Sequence, residues 1–304
     1  MWSVHPRIVL ALLLLMLAAC TGPGAAPDVH PNAVVIAAFD FPESQLLAEI
    51  YGQALESSGM RVHRELALGT RELVQPALQQ GLVDLVPEYG GSALAFVTLG
   101  AVEPTADEER THTELRDALA ERGITALDYA PAQNRNGVAV TAATAAALGL
   151  RTMSDLEQHA PGMTFGGPPE CADRPLCLPG FERVYGLRFG EFLPLDAGGP
   201  QTLQALRSDA VDAAVVFTSD GAAERDGLVL LDDDRRLQPA ENVTPVVRTD
   251  VLDRYGSRMS DLLNRVSAAL TTSELRAMNA EVAVDGRSPA SVAEDWLHHE
   301  GLGG

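Results

Sequence analysis

The chain has 304 residues, 46% of them hydrophobic, and a formal net charge of −20 at pH 7, and all 22 basic residues are arginine. This length is enough for one large domain or two medium ones, each with a sizeable core. A charge this negative repels phosphate backbones and anionic lipid headgroups, so we expect no nucleic-acid partner and no electrostatic attachment to a membrane.

The N-terminus has the pattern of a lipoprotein signal peptide. An apolar run follows Arg7 and ends in two alanines before Cys20. The run is shorter than the ~20 residues that a membrane-spanning helix needs, which favours a cleaved signal over residues 1–19. Cys20 would then carry lipid, and residues 20–32, rich in backbone breakers, would form a flexible tether. This pattern predicts an extracytoplasmic protein anchored to the cell membrane; the alternative is a plain secretory signal followed by an incidental cysteine.

Two further cysteines, Cys171 and Cys177, remain if Cys20 is lipidated. An even pair of cysteines in an oxidising compartment predicts a local disulfide. The alternative is a metal site, but two thiolates need further ligands and no histidine lies nearby in the sequence. We therefore predict a disulfide and no metal.

The first elements alternate between strands and helices. Short apolar runs are typical of strands, whereas apolar residues at helical spacing after Pro42 and a glycine at position 81 mark helices. The alternation predicts a mostly parallel α/β sheet, in which ligands bind beyond the carboxyl ends of the strands. The predicted elements are a strand over 34–38, a helix from 42 to 58, a strand over 61–66, a helix from 70 to 81 and a strand over 82–86.

An internal repeat follows from comparing the two halves of the chain. Residues 77–84 and 205–212 share one pattern, and the same offset places Tyr89 opposite Phe217. Each aromatic residue follows a predicted strand at the edge where a doubly wound sheet binds ligands. The repeat predicts two similar lobes with one aromatic side chain each at a cleft. The alternative is that helix–strand units recur in every α/β protein and both aromatics belong to the core.

The second half begins with a strand over 137–140 and extends to about residue 237. A further strand-like segment over 242–247 precedes helical patterns at 259–270 and 288–297. We expect these last elements to return to the first lobe.

Several motifs resemble those of the substrate-binding proteins of osmoprotectant ABC importers, which take up glycine betaine, choline and related compounds. The first are Phe41-Pro42-Glu43-Ser44, Leu68-Gly69-Thr70 and the run over 81–91 with Pro87-Glu88-Tyr89. An ordered series extends the resemblance over most of the mature chain: Arg174-Pro175, Pro179-Gly180, Tyr185-Gly186, Phe217-Thr218-Ser219-Asp220-Gly221, Asp232-Asp233-Asp234, Pro245-Val246-Val247-Arg248 and Val292-Ala293.

The resemblance implies a two-lobed α/β fold of the type II-like periplasmic-binding-protein class, with a ligand enclosed as the lobes hinge shut. Lobe 1 is expected to comprise residues 33–133 and 240–304, and lobe 2 residues 134–239. Such a protein binds a small solute and delivers it to ABC permease subunits in the membrane. The resemblance therefore implies no enzymatic activity, no cofactor and a monomer.

In this family a cage of tyrosines from both lobes surrounds the quaternary ammonium of the ligand through cation–π contacts. The resemblance places Tyr89 and Phe217 in the cage, whereas Asn136 and Glu241 stand where the other two tyrosines are expected. Losing two contacts of roughly 2 kcal/mol each would lower the affinity for a betaine on the order of 10²–10³-fold without compensation. Glu241 is a candidate for that compensation and favours a cation without a carboxylate, such as choline; the alternative is a solvated turn.

Four more polar residues are candidates for ligand binding. Arg174 has the planar fork that holds a carboxylate bidentately, although a surface ion pair is the alternative. Ser92 and Thr218 lie beside the two cage aromatics in sequence, where each either bonds the ligand or caps a helix. Asp40, at the first strand-to-helix turn, is a candidate cleft residue.

Motifs of common enzyme classes are missing from the sequence. It has no Gly-x-Ser-x-Gly nucleophile elbow, no His-Glu-x-x-His helix and no Gly-x-x-x-x-Gly-Lys phosphate loop. The main alternative to a transport protein is a lipid-anchored sensor or scaffold that keeps the fold and has a different or lost ligand, since the tyrosine cage is incomplete.

Overall fold

A computed structural model of the protein describes residues 32–196, 198–225 and 227–303. The predicted signal, Cys20 and all of the predicted tether except its last residue lie outside this part of the chain. Within the described ranges, no helix combines the length and the apolar character that crossing a bilayer requires. The folded body begins at Val34.

Strands and helices alternate through the first half of the described chain, and helices dominate its C-terminal part. The strands are β1 (Val34–Phe39), β2 (Val62–Gly69), β3 (Leu85–Tyr89), β4 (Ile124–Ala126), β5 (Asn136–Thr141), β6 (Thr164–Gly167), β7 (Glu191–Pro194), β8 (Ala213–Phe217), β9 (Leu228–Leu231) and β10 (Val243–Arg248). The helices are α1 (Pro42–Ser57), α2 (Arg71–Gln80), α3 (Gly90–Val97), α4 (Glu108–Ala120), α5 (Ala142–Leu148), α6 (Leu178–Tyr185), α7 (Pro200–Arg207), α8 (Gly221–Arg225), α9 (Thr249–Tyr255), α10 (Ser257–Ala269), α11 (Thr272–Ala283) and α12 (Pro289–His299).

The first sheet has the strand order β2–β1–β3–β10–β4. β1 pairs in parallel with β2 and β3, whereas β10 is antiparallel to both β3 and β4. Its core contains Leu46 and Ile50 of α1 together with Leu263 of α10 and Trp296 of α12. The predicted α/β class is confirmed, and the C-terminal helices contribute to the core of this first sheet.

The second sheet has the order β7–β6–β8–β5–β9. β6 is parallel to β7 and β8, and β5 is antiparallel to β8 and β9. Phe165 of β6 packs edge-on against Phe181 of α6 in its core, with ring centroids 5.7 Å apart. Cys171 and Cys177 form a disulfide just before α6, with their Cα atoms 5.1 Å apart, so that prediction is confirmed.

The internal repeat in the sequence corresponds to a repeated structural unit. In each copy a helix is followed by a residue with positive φ, Gly81 at 75° after α2 and Asp209 at 54° after α7, and then by a strand. Asp84 accepts a hydrogen bond from a backbone N–H in the parallel strand β1 (2.9 Å), and Asp212 accepts one from β6 (2.8 Å). The two aspartates therefore fix β3 and β8 to their neighbours in the same way.

The strand predicted over 82–86 begins later, at Leu85. The backbone N–H of Leu82 donates to the carbonyl of Ala77 (2.9 Å), so this residue still belongs to the end of α2. The left-handed conformation of Gly81 makes this helix ending favourable because glycine has no Cβ. The strand also ends three residues later than predicted, so Tyr89 is the last residue of β3 rather than a residue beyond it.

Two chain segments connect the sheets, one from β4 to β5 and one from β9 to β10, and they lie side by side. Gln133 and Asn242 form a β-bridge, and the backbone N–H of Asn134 donates to the carbonyl of Glu241 (3.2 Å). A third contact joins α8, after β8, to α11. A Cβ on Gly221 would lie 2.1 Å from the carbonyl oxygen of that helix's Arg276, so the close approach requires glycine.

Candidate functional site

A cavity of about 740 Å³ lies where β3 and β8 end, and residues of both sheets line it. Tyr89 and Phe217 are the last residues of these strands and both belong to the lining. The remaining lining includes residues from α1, the two crossing segments, the disulfide loop and α11: Phe41, Glu43, Arg71, Ser92, Asn134, Asn136, Glu170, Arg174, Leu176, Asp220, Gln238, Glu241, Asn279 and Val282.

Glu43, in the first turn of α1, is buried and accepts hydrogen bonds from three side chains. Tyr89 donates its hydroxyl to Oε1 (2.6 Å), Asn134 donates to the same oxygen (2.7 Å), and Asn279 donates to Oε2 (2.5 Å). Burial and the Glu43 charge raise the pKa of Tyr89 well above its usual value, so the phenol stays protonated and donates. Glu43 therefore joins β3, a crossing segment and α11 at one point of the cavity wall.

Three aromatic rings form a row along the first-sheet side of the site. Phe39 stacks on Phe41 with ring centroids 6.0 Å apart, and Phe41 stacks on Tyr89 at 6.1 Å. The guanidinium of Arg71 lies over the Phe39 ring, 5.1 Å from its centroid. Aromatic faces and a fixed positive charge thus meet on the same wall.

Arg71 is held by a buried carboxylate. Its Nε donates to both oxygens of Glu88 (3.2 Å each) and its Nη2 donates to Oε2 (3.0 Å). Glu88 also accepts hydrogen bonds from the Gln75 side chain (3.0 Å) and the backbone N–H of Tyr89 (3.2 Å). Because Glu88 is fully buried and has all these donors, it fixes the position of Arg71.

Glu241 is half-buried in the cavity wall, where its carboxylate meets the N-terminal turn of α3. Ser92 donates its backbone N–H to Oε2 (3.0 Å) and its hydroxyl to Oε1 (2.7 Å). Burial raises the pKa of Glu241 to about 7, and the nearby Glu88 acts in the same direction, whereas the Ser92 hydrogen bonds and the charge of Arg71 oppose the shift. At neutral pH this carboxyl group is therefore close to half-protonated.

Asn136 and Phe217 are direct partners across the antiparallel pair β5–β8, and both line the cavity. Phe217 is half-buried, while Asn136 is exposed at the start of its strand. The second sheet therefore contributes one aromatic and one amide side by side, close to the position that the sequence predicts for each.

Arg174 also lines the cavity, on the disulfide loop. Its side chain is 70% exposed and its Nη2 lies 3.7 Å from the Glu170 carboxylate, one helical turn earlier. This is the geometry of an exposed ion pair, the alternative left open by the sequence, and such a pair holds its side chain weakly.

Asp40 and Thr218 have other positions. Asp40 is exposed beside the Phe39–Phe41 stack and is not part of the cavity lining among the described residues. The hydroxyl of Thr218 accepts a hydrogen bond from the backbone N–H of Arg135 (2.9 Å), which joins the end of β8 to the first crossing segment. Thr218 therefore acts on the connection between the sheets, and neither residue meets the cavity directly.

The sequence did not predict several of the residues that line the cavity, among them Phe41, Glu43, Arg71, Asn134 and Asn279. Phe41 and Arg71 follow the carboxyl ends of β1 and β2, so the rule that ligands bind at this edge of the sheet was a usable signal for both. Asn279 belongs to α11, far along the chain, and no local pattern indicates its contact with Glu43.

The chain is similar to proteins of known function over most of its length. Residues 32–299 match the OpuAC family model, described as the substrate-binding domain of the ABC-type glycine betaine transport system. The glycine betaine-binding protein YehZ of Escherichia coli K12 is 31% identical over 268 residues, covering 85% of this chain and 88% of that protein. A glycine-betaine-binding protein of Pseudomonas aeruginosa PAO1 is 29% identical over 306 residues and covers 96% of this chain and 95% of its own length.

Solved structures show the same fold. A crystal structure titled as a glycine betaine/carnitine/choline ABC transporter superposes with a TM-score of 0.82 at 24% identity, covering 88% of this chain and 99% of that one. Ligand-free YehZ from E. coli superposes with a TM-score of 0.77 at 29% identity, covering 89% and 99%. The family consists of extracytoplasmic solute-binding proteins of ABC importers, which is not an enzyme class. The chain belongs to this family, the substrate-binding proteins of ABC-type glycine betaine transporters.

Proposed function

We propose that this protein binds a small quaternary-ammonium solute of the choline and glycine betaine class and delivers it to the permease of an ABC importer. One observation carries the proposal: aromatic faces from both sheets and the buried Glu43 carboxylate line a single cavity. A quaternary ammonium has no N–H donor, so aromatic faces and unneutralised carboxylates are the groups that recognise it. The names of the E. coli and P. aeruginosa relatives support the same solute class.

In the proposed complex the ammonium methyl groups lie against Tyr89, Phe41 and Phe217. The hydrogen bond from the Tyr89 hydroxyl to Glu43 (2.6 Å) fixes the ring and brings a full negative charge close to the cation. Each desolvated cation–π contact contributes up to about 2 kcal/mol. Asn136, Ser92 and Glu241 complete the polar part of the proposed site.

Solute binding is proposed to close two lobes, residues 33–133 with 240–304 and residues 134–239. The side-by-side crossing segments near Gln133 and Asn242 favour a hinge there, because few backbone torsions then absorb the motion. The Thr218 hydroxyl, bonded to the Arg135 backbone, would transmit the hinge movement to the end of β8.

Outside the described residues, we propose that Cys20 carries a lipid and that the tether up to residue 32 keeps the binding body near the membrane. The sequence pattern of residues 1–20 supports this anchor. A tether of this kind raises the local concentration of the loaded protein at its permease. We further propose that the protein acts as a monomer.

Thermal unfolding of the purified protein with choline, glycine betaine and carnitine tests the proposal. A ligand at 100 times its dissociation constant stabilises the folded state by about 2.7 kcal/mol and raises Tm by several degrees. The matched control is 3,3-dimethylbutanol, which has the shape of choline without its charge and should leave Tm unchanged. Equal shifts with the neutral control, or no shift with any quaternary ammonium at millimolar concentration, would contradict the proposal.

A further inference from the structure

Arg71 has hydrogen-bond donors that the described residues do not use. Glu88 accepts from Nε and Nη2, but Nη1 makes no hydrogen bond to the residues that the structure describes. The side chain is 21% exposed and belongs to the cavity lining. A positive charge with free N–H groups therefore lies at the cavity surface, on the same wall as the aromatic row.

Arg71 is also held in place before any ligand arrives. The bidentate pairing with Glu88 and the Phe39 ring 5.1 Å beneath the guanidinium fix its plane. Little side-chain entropy is lost when a prepositioned guanidinium binds an anion. Arg174, the other arginine in the lining, is 70% exposed and paired only loosely with Glu170 at 3.7 Å. Of the two, Arg71 has the geometry of a preorganised oxygen-binding group.

We propose that Arg71 binds the carboxylate of a betaine-type solute through Nη1 and thereby makes the site select zwitterionic betaines over choline. The inference rests on the proposed function, because it assigns the second end of a solute whose ammonium lies against the aromatic rings. A carboxylate accepts charge-assisted hydrogen bonds from a guanidinium, whereas the choline hydroxyl forms a weaker, neutral-acceptor bond.

This assignment reverses the preference that Glu241 alone predicts. Both oxygens of Glu241 accept hydrogen bonds from Ser92 (2.7 and 3.0 Å), and burial raises the pKa of this carboxyl group to about 7, so at neutral pH it carries only part of a negative charge. Nη1 of Arg71 has no hydrogen-bond partner among the described residues, and a bound choline molecule would offer it no charged acceptor. Desolvating such donors without a partner lowers affinity, so the carboxylate-bearing solute is favoured.

Calorimetric titration of glycine betaine and choline into the wild-type protein and into Arg71→Lys tests the inference. Lysine keeps the positive charge that pairs with Glu88. Its compact ammonium group, however, cannot donate hydrogen bonds to Glu88 and to the solute carboxylate at the same time, as the two ends of a guanidinium can. We expect Arg71→Lys to lose about 10- to 100-fold in affinity for glycine betaine, the range for a hydrogen bond to a charged group, and to bind choline within about twofold of wild type.

Arg248→Lys is the matched control. Arg248 is 27% exposed and paired in a similar way with Asp250, but it is not among the described residues that line the cavity. This variant should keep the wild-type affinities for both solutes. If Arg71→Lys does not fold, the double change Arg71→Gln with Glu88→Gln removes both partners together, leaves no unpaired buried charge and should show the same selective loss.

The outcomes separate the two proposals. Equal losses for both solutes, no loss for either, or a selective loss of glycine betaine in Arg174→Lys with none in Arg71→Lys would overturn the assignment of Arg71 while leaving the proposed function standing. Absence of binding of both solutes to the wild-type protein would instead overturn the proposed function and the inference with it.

Discussion

Replacing Glu241 with glutamine should stabilise the protein at pH 8 and leave its stability unchanged at pH 4.5. The folded protein holds the pKa of Glu241 at about 7, mainly because the carboxyl group is buried. In the unfolded chain a glutamate has a pKa of about 4.3. Between these two values the folded state binds more protons than the unfolded state, so the stability of the wild-type protein falls as the pH rises through this window.

The size of the effect follows from the shift in pKa. The two pKa values differ by about 2.7, which at 1.36 kcal/mol per pH unit corresponds to about 3.7 kcal/mol over the full titration, and about 3 kcal/mol of this is lost between pH 4.5 and pH 8. The glutamine side chain of the variant carries no charge and avoids this loss, and its amide oxygen can still accept a hydrogen bond from Ser92. For a chain of this size, about 3 kcal/mol raises Tm by roughly 6 °C.

Thermal unfolding of Glu241→Gln and wild type between pH 4.5 and 8 measures the difference. The control is Glu103→Gln, which removes the same charge from an exposed loop position and should give a small and nearly pH-independent change. An equal gain in Tm of Glu241→Gln at pH 4.5 and pH 8, or an equal gain of Glu103→Gln at high pH, would show that burial of the Glu241 carboxyl group does not cause the effect.

Three further changes have expected outcomes. Phe217→Leu keeps an apolar side chain but removes the aromatic face, so calorimetry should show choline affinity lowered by roughly 10-fold, and an unchanged affinity would remove Phe217 from the cation site. The double change Cys171→Ser with Cys177→Ser opens the loop closed by the disulfide and should cost about 2 kcal/mol in denaturant unfolding under oxidising conditions; an unchanged midpoint would contradict a stabilising role. Gly221→Ala places a Cβ 2.1 Å from the Arg276 carbonyl oxygen and should destabilise the protein by about 1–3 kcal/mol, whereas a wild-type Tm would show that α8 and α11 separate freely.

Much of the fold was accessible from the sequence because its signals are local. The repeat predicted from residues 77–84 and 205–212 is present as two helix–strand units, each closed by an aspartate that binds a neighbouring strand. The predicted start of β3 was wrong by three residues. The apolar Leu82 suggested a strand, but its backbone N–H still bonds to the last turn of α2. Apolar character alone does not separate a helix ending from a strand start.

The site was predicted only in part because its contacts connect distant parts of the chain. Tyr89 and Phe217 were accessible, since they end equivalent strands of the repeat. The contact between Glu43 and Asn279 spans 236 residues and leaves no local pattern. Arg71 lay next to a recognised motif, but its role depends on Glu88 and on the ring of Phe39, which the packing of strands brings together.

A crystal structure of the protein grown with glycine betaine would show directly where the solute binds. We expect the trimethylammonium nitrogen within about 6 Å of the ring centroids of Tyr89 and Phe217, the range of cation–π contacts. We also expect the solute carboxylate within hydrogen-bond distance of Arg71 Nη1. A solute bound away from these rings, or an empty cavity at saturating glycine betaine, would rule out this mode of binding.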